Sequence, residues 1–230
     1  MPSLREMVYD IKNIAYGGVQ SDDNRVSDQQ VAYWIRQTRE MLVNQQLANR
    51  NKIPESLIQH LNYVEFSQVD PSNVTGLNSG YSVMKSTKKI PNTVQRDGKN
   101  TIIAVESVDG SEGFTETTYF RRKYNKYNKY TSHNARWYIQ DGYMYITHNS
   151  LIDKLRVSGI FEDPEDAANF KLDTGESAFS WDDEYPITGL MAGAITDIVL
   201  KSKMNITRQM PNDESNDGDE QQMSEGKPAK

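Results

Sequence analysis

The sequence changes its hydrophobic periodicity twice, and this change limits the folds open to it. Near each end, apolar residues recur at the three-to-four-residue spacing of an amphipathic helix. From Asn62 to about Phe161, β-branched and aromatic residues dominate and turn signals are frequent. A helix with one apolar stripe must bury it against another element. The pattern therefore predicts an α+β protein: a helical base formed by the N-terminal helices and a C-terminal helix, with an inserted antiparallel β sandwich or barrel.

The N-terminal helices are predicted from their apolar stripes and their end signals. Pro2 suits the start of the first helix and Gly17 with Gly18 suits its end. Ser27 and Gln30 have the spacing of a capping box and are expected to begin the second helix. A short third helix is expected near Pro54. The apolar positions of the first two helices are Leu4, Met7, Val8, Ile11 and Ile14, then Val31, Trp34, Ile35, Thr38, Met41 and Leu42.

A final helix is predicted after the sequence SWDDEYP. Negative charge in residues 182–184 is favourable near a helix N-terminus, and Pro186 suits a first turn. The apolar stripe of this helix is Ile187, Leu190, Met191, Ala194, Ile195 and Ile198. Both ends of the chain are expected to share one core in the helical base, and its members are Ile11, Trp34, Ile35, Leu190 and Ile195.

The clearest hairpin of the β segment is RWYIQDGYMYIT, residues 136–147. Asp141-Gly142 is a strong two-residue turn signal. This turn sets Trp137 opposite Ile146 and Ile139 opposite Met144 on one face. The other face is then polar and aromatic. A further strand is expected in LRVSGIF, which ends before Pro164.

The predicted domain boundaries follow these changes of pattern. Residues 1–61 form the N-terminal part of the helical base, residues 62–181 the β domain, and residues 182–210 the helix that completes the base. Residues 211–230 contain no aromatic and almost no apolar side chain, so they are predicted to be a disordered acidic tail.

A basic, tyrosine-rich stretch, FRRKYNKYNKY, lies within a chain whose formal charge is -6. Its lysines and tyrosines recur every three residues, which fits neither a strand nor a helix and predicts a loop or hairpin tip. Three interpretations are open: a solvated loop, a contact with another protein, or a contact with nucleic acid. The candidate contact residues are Arg121, Arg122, Lys123, Tyr124, Lys126, Tyr127, Lys129 and Tyr130.

No sequence motif predicts catalysis. The chain has no cysteine, which excludes disulfides and thiolate chemistry, and its three histidines (His60, His133 and His148) share no metal-ligand spacing. Phosphate-loop, nucleophile-elbow and dinucleotide motifs are absent from the sequence. The sequence also contains no signal-peptide core and no apolar run approaching about 20 residues. We therefore expect a soluble protein without enzymatic activity, metal, cofactor or membrane contact.

The order of elements resembles the head–tail connector, or adaptor, proteins of tailed bacteriophages, most closely the neck ring proteins of crAss-like short-tailed phages. The resemblance lies in five stretches, in this order along the chain: LREMVYDIKNIAYGG, VAYWIRQTREMLV, IPESLIQHLNYVEFSQVDPSNV, LRVSGIFEDPEDA, and DDEYPITGLMAGAITDIVLKSK followed by MPNDESNDG. Together they cover about half of the chain. The basic stretch is not part of this resemblance.

The resemblance implies a structural protein of the virion neck that is assembled in the host cytoplasm. Such proteins form a ring, commonly of twelve copies, below the portal protein. They extend the channel through which DNA leaves, without reading its sequence, and they dock further neck or tail proteins. The alternative from the residues alone is a nucleic-acid-binding accessory protein that uses residues 120–130. Its weakness is the negative net charge, because a duplex binder usually presents a broad basic surface.

Overall fold

The structure, a computed structural model, describes residues 1–17, 26–49, 52–69, 83–96, 98–121, 124, 127, 129–130, 134–147, 152–172 and 174–204. The helices in this part of the chain are α1 (Leu4–Tyr16), α2 (Asp28–Asn49) and α3 (Gly189–Ile198). The strands are β1 (Gln59–Gln68), β2 (Val83–Ser86), β3 (Gln95–Arg96), β4 (Lys99–Asn100), β5 (Ile102–Ser107), β6 (Thr115–Glu116), β7 (Arg136–Gln140), β8 (Tyr143–Thr147) and β9 (Lys154–Gly159).

Helix α1 begins and ends at local signals in its own sequence. The Glu6 amide donates to Ser3 Oγ and the Ser3 amide donates to the Glu6 carboxylate, which completes a capping box. Gly17 ends the helix with φ 65°, a left-handed conformation that glycine adopts without strain. Ile14, expected on the buried stripe, is exposed instead.

Helix α2 begins after Ser27, whose Oγ accepts from the Gln30 amide at 3.2 Å, as the capping pattern predicts. The expected third helix is reduced to one 3-10 turn, Glu55–Leu57. The chain then enters β1, and Gln59 pairs with Gly159 of β9. The apolar residues 57, 58 and 61 have a helical spacing, and the long-range pairing with β9 overrides it from Gln59 onward.

Helix α3 starts at Gly189, later than expected, and continues into a π-helical turn, Val199–Lys203. Pro186 lies before the helix rather than in its first turn. The buried stripe runs through Met191, Ile195 and Val199, four residues apart. Leu190 lies one residue, about 100°, off this stripe and is 85% exposed. The prediction that Leu190 belongs to the base core was therefore wrong.

The three helices pack against one another through a shared apolar interior. Ile11, Ile35 and Ile195 are fully buried in one hydrophobic cluster, and Trp34 packs against that cluster while partly buried. The same cluster continues into the β strands and includes Met144 and Val157. The helices and the β sheet therefore share one continuous core.

The main β sheet is a nearly closed barrel. Its strand order is β5-β9-β1-β2-β8-β7-β6, and all neighbours are antiparallel except β6 and β7, which are parallel. Residues after β5 turn back so that the Phe114 amide donates to the Val105 carbonyl at 2.7 Å. Three residues later, the Thr117 amide donates to the Trp137 carbonyl of β7 at 2.8 Å. This short segment connects the two sides of the sheet. The parallel pairing of β6 with β7 makes the sheet mixed rather than purely antiparallel.

The predicted hairpin of β7 and β8 is confirmed in its register. Trp137 pairs with Ile146 and Ile139 pairs with Met144. Asp141 and Gly142 have φ of 54° and 79°, as a primed two-residue turn requires. Tyr138, expected on the polar face, is buried, because its ring stacks on Tyr145 at 5.2 Å and lies under Tyr119.

Candidate functional site

A buried arginine on α2 joins the helices to the end of β9. Arg39 has no exposed surface, and it lies at a core-facing position four residues after Ile35. Its Nε donates to the Pro186 carbonyl at 2.9 Å, and its Nη1 donates to the Phe161 carbonyl at 2.8 Å. The guanidinium also lies 5.8 Å from the centre of the Tyr185 ring. One side chain therefore contacts two chain segments that are more than 120 residues away from it.

A second arginine, one helical turn earlier, forms ion pairs beside it. Arg36 Nη1 lies 2.7 Å from Asp163 and 3.2 Å from Glu165. Asp163 also caps the 3-10 turn Pro164–Asn169, because its Oδ1 accepts from the Glu165 amide at 2.9 Å. We call the group of Arg36, Arg39, Asp163, Glu165 and Tyr185 the arginine junction.

Burial sets the direction of the pKa shift at three members of the arginine junction, whereas the pKa of Arg36 is raised because Asp163 and Glu165 outweigh the opposing effect of its burial. Burial lowers the pKa of Arg39, although arginine stays protonated in proteins. Burial also raises the pKa of Tyr185, so that phenol stays neutral. Burial raises the pKa of Glu165, and the opposing pull of Arg36 offsets this only in part. The charges are used for pairing and hydrogen bonding inside the protein, which makes the junction a structural clamp.

The arginine junction brings together residues from three segments that are far apart in the sequence. Arg36 and Arg39 come from VAYWIRQTREMLV, Asp163 and Glu165 from LRVSGIFEDPEDA, and Tyr185 from DDEYP. These are three of the stretches on which the resemblance to neck ring proteins rests. Sequence reasoning missed the junction because an arginine in a helix is usually a surface residue. The available signal was that Arg39 falls four residues after Ile35 on the buried face.

The basic stretch after β6 is partly described, and its described residues lie on the surface. Arg121, Tyr124, Tyr127, Lys129 and Tyr130 are exposed, whereas Arg122, Lys123 and Lys126 lie outside the described residues. The Arg121 amide donates to the Thr118 carbonyl and the Tyr124 amide to the Arg121 carbonyl, both at 2.9 Å. The described residues thus follow tight turns, which agrees with the predicted loop.

This basic loop, residues 120–130, presents aromatic rings to solvent. Phe120 is 80% exposed and Tyr130 84% exposed, and Lys129 Nζ lies 5.3 Å from the centre of the Tyr130 ring. Beside the loop is a depression of about 540 Å³ lined by Arg121, Arg136 and Lys99 among others. Exposed aromatic rings next to cations are typical of protein contact surfaces.

Other candidate sites in the described part of the chain are weaker. His60 forms a hydrogen bond of 2.8 Å with Ser158, and His133 and His148 lie outside the described residues. Among the residues that the structure describes, no group of three or more His, Asp or Glu side chains is arranged to hold a metal ion.

Within the described part of the chain, no helix has both the length and the apolarity needed to cross a bilayer.

The fold and its surface define the class of the protein: an α+β protein in which a nearly closed barrel is joined to helices, with exposed aromatic and basic residues in a loop of the barrel. The profile of the family described as "Phage tail ring protein 2" matches residues 6–222, and the chain belongs to this family of crAss-like phage ring proteins. No curated protein matches the chain. The protein is therefore a structural component of a phage virion, and the resemblance drawn from the sequence is confirmed.

Proposed function

We propose that this protein is the subunit of a neck ring that lies below the portal and connects the head to the tail. Copies form a closed ring, with twelve as the expected number, and the ring extends the channel for DNA. Its exposed loops dock further neck or tail proteins. Assembly takes place in the host cytoplasm, and the protein acts without enzymatic activity, metal or cofactor.

The observation that carries this proposal is the exposed basic loop on the barrel of a tail ring family member. Its tyrosines can bury ring area at a protein contact at small entropic cost. Its arginines and lysines can pair with acidic groups, and the chain itself, with a formal charge of -6, provides them on an adjacent copy. DNA is the rival partner because cations at a channel attract phosphate. Basic loops that bind phosphate would hinder DNA that must slide through the channel, so a protein partner is favoured.

The test separates assembly from DNA binding. The variant Arg121→Ser, Lys126→Ser and Lys129→Ser is mixed with the portal protein of the same virion, and ring formation is followed by electron microscopy and co-sedimentation. We expect fewer rings than with the unchanged protein, while DNA affinity is weak for both. The control variant Lys52→Ser, Lys201→Ser and Lys203→Ser has the same change in net charge at exposed residues outside the loop.

Two results would contradict the proposal. One is the absence of any complex between the unchanged protein and the portal. The other is tight, strongly salt-dependent DNA binding that the loop variant loses while ring assembly stays normal. The second result would instead establish the nucleic-acid-binding accessory function.

A further inference from the structure

A groove on the outer surface of the barrel is lined by three lysines. Its floor is Tyr63 and Glu65 of β1 with Lys154 of β9, which is the register partner of Glu65. Lys88, just after β2, forms one wall, and Lys171 lies on the other. The groove has a volume of about 430 Å³. We call it the lysine groove.

The walls of the lysine groove are built by backbone pairing. The ladder between β2 and β1 ends at Ser86, after which one more backbone hydrogen bond runs from the Thr87 amide to the Glu65 carbonyl at 2.9 Å. A small hairpin then takes the place beside β1, with Lys171 bridged to Tyr63. Within this hairpin, the Leu172 amide donates to the Glu176 carbonyl at 2.8 Å and the Ala178 amide to the Phe170 carbonyl at 2.9 Å. The concave shape therefore belongs to the sheet and does not depend on side-chain positions alone.

The contacts that position the lysines of the groove leave it with a net positive charge. Lys88 Nζ donates to the Asn169 carbonyl at 2.7 Å, and Lys154 Nζ lies 5.4 Å from the centre of the Tyr63 ring. Among the described residues, none of the three lysines forms an ion pair. With three ammonium groups and one carboxylate, the lysine groove is suited to an extended acidic segment.

The chain itself contains such a segment beyond the described residues. Residues 213–220 read DESNDGDE, which is five acidic side chains in eight positions with no basic one. The family match continues to residue 222 and so includes this segment. We propose that the lysine groove binds residues 213–220 of a neighbouring copy of this chain, so that each subunit of the ring holds the acidic segment of the next. This inference rests on the proposed ring.

Ring geometry favours the neighbouring copy, and the reach of the acidic segment allows it. A ring of more than two subunits has head-to-tail contacts, in which two different surfaces of the same chain complement each other. A basic groove and an acidic segment are such a pair. The described chain ends at Met204 after helices that pack on α1 and α2. Residues 213–220 can extend roughly 30 to 55 Å from there, and a folded unit of this size is roughly 40 Å across.

The absence of cysteine from the sequence allows a direct cross-linking test in the full-length chain. One preparation carries only Thr87→Cys, in the groove wall, and a second, bearing a size tag, carries only Ser215→Cys. They are mixed under ring-forming conditions with the portal and treated with a short bis-maleimide. We expect a mixed dimer that requires both cysteines.

Charge variants show whether the lysine groove is responsible. Lys88→Gln, Lys154→Gln and Lys171→Gln in the Thr87→Cys chain should reduce the mixed dimer at least tenfold. Lys52→Gln, Lys201→Gln and Lys203→Gln, with the same net-charge change, should leave it unchanged. Neutralising the five acidic residues of 213–220 in the Ser215→Cys chain should also reduce it, and this variant decides the question if the groove variant does not fold by circular dichroism.

A third preparation carries both Thr87→Cys and Ser215→Cys in one chain. Three outcomes would overturn the inference: no mixed dimer, a mixed dimer that survives neutralisation of the acidic residues, or a cross-link that forms only within the chain of the third preparation. The last outcome would mean that the segment folds back on its own barrel. Electron microscopy of the same samples keeps the two proposals separate. Rings without the mixed dimer refute only this inference, whereas the absence of rings refutes the proposed function as well.

Discussion

At the scale of single residues, Arg39 links distant parts of the chain, although the sequence pattern did not single it out. Its guanidinium satisfies carbonyl groups at the end of β9 and before α3, two places that are distant in the chain. A buried hydrogen-bonded cation is costly to disrupt, because its removal leaves the buried acceptors unpaired. The functional consequence is indirect. Together with the shared core, the clamp holds the barrel against the helices and so helps to orient the surfaces that we propose for ring contacts.

Replacement of Arg39 tests this reasoning. We expect Arg39→Ala to lower the free energy of unfolding by on the order of 3 kcal/mol, and Arg39→Lys to recover little of it, because an ammonium cannot reach both carbonyls in the geometry of the guanidinium. Urea unfolding measures the change. Met41→Ala, at an exposed position of the same helix, is the control with a small expected loss. A loss of less than about 0.5 kcal/mol for Arg39→Ala would show that the junction is not a clamp.

At the scale of elements, some helices and strands are specified by local sequence signals and others by long-range contacts. The β7–β8 hairpin is specified by its own turn and alternation, and its register follows from them. The local sequence specifies helix α3 less well. The helix begins at Gly189, later than predicted, and its buried face excludes Leu190. Turn chemistry is local, whereas the face that a helix buries depends on the elements packed against it.

Two glycine substitutions should change stability in opposite directions. Gly142 has φ 79°, so Gly142→Ala strains the hairpin turn and should destabilise the protein by about 1 kcal/mol. Gly193 lies inside α3, and a Cβ there would meet no atom within 4 Å. Gly193→Ala should therefore stabilise the isolated chain by roughly 0.5–1 kcal/mol, because alanine has the higher helix propensity. Thermal unfolding of both variants is the measurement, and two shifts of the same sign would contradict it.

At the scale of the whole molecule, the helices and the barrel share one hydrophobic core. The inserted β segment therefore does not have a separate core of its own. Residues from α1, α2, α3 and the strands belong to one buried cluster. The predicted domain boundaries at residues 61, 181 and 210 remain a prediction. The predicted acidic tail, residues 211–230, lies outside the described residues, and its proposed role concerns assembly rather than folding.

Two truncations separate folding from assembly. Removal of residues 212–230 should leave the unfolding temperature of the isolated chain unchanged within error, because the described core contains none of them. The same truncation should weaken ring formation with the portal. Deletion of residues 186–205 should prevent cooperative unfolding, because it removes buried Ile187, Met191 and Ile195 together with the carbonyl that Arg39 binds. A stable product of that deletion would show that α3 is dispensable for the core.

The sequence by itself determined the α+β class, the two N-terminal helices, the β7–β8 register and the surface position of the basic loop. Each of these depends on residues close together in the chain, through caps, turns and periodicity. Tertiary structure decided the rest. It turned the expected third helix into β1 through pairing with β9, excluded Leu190 from the core, buried Arg39 and assembled the lysine groove. These features depend on contacts between residues as much as 147 positions apart, as from Arg39 to Pro186, and no local pattern encodes such a contact.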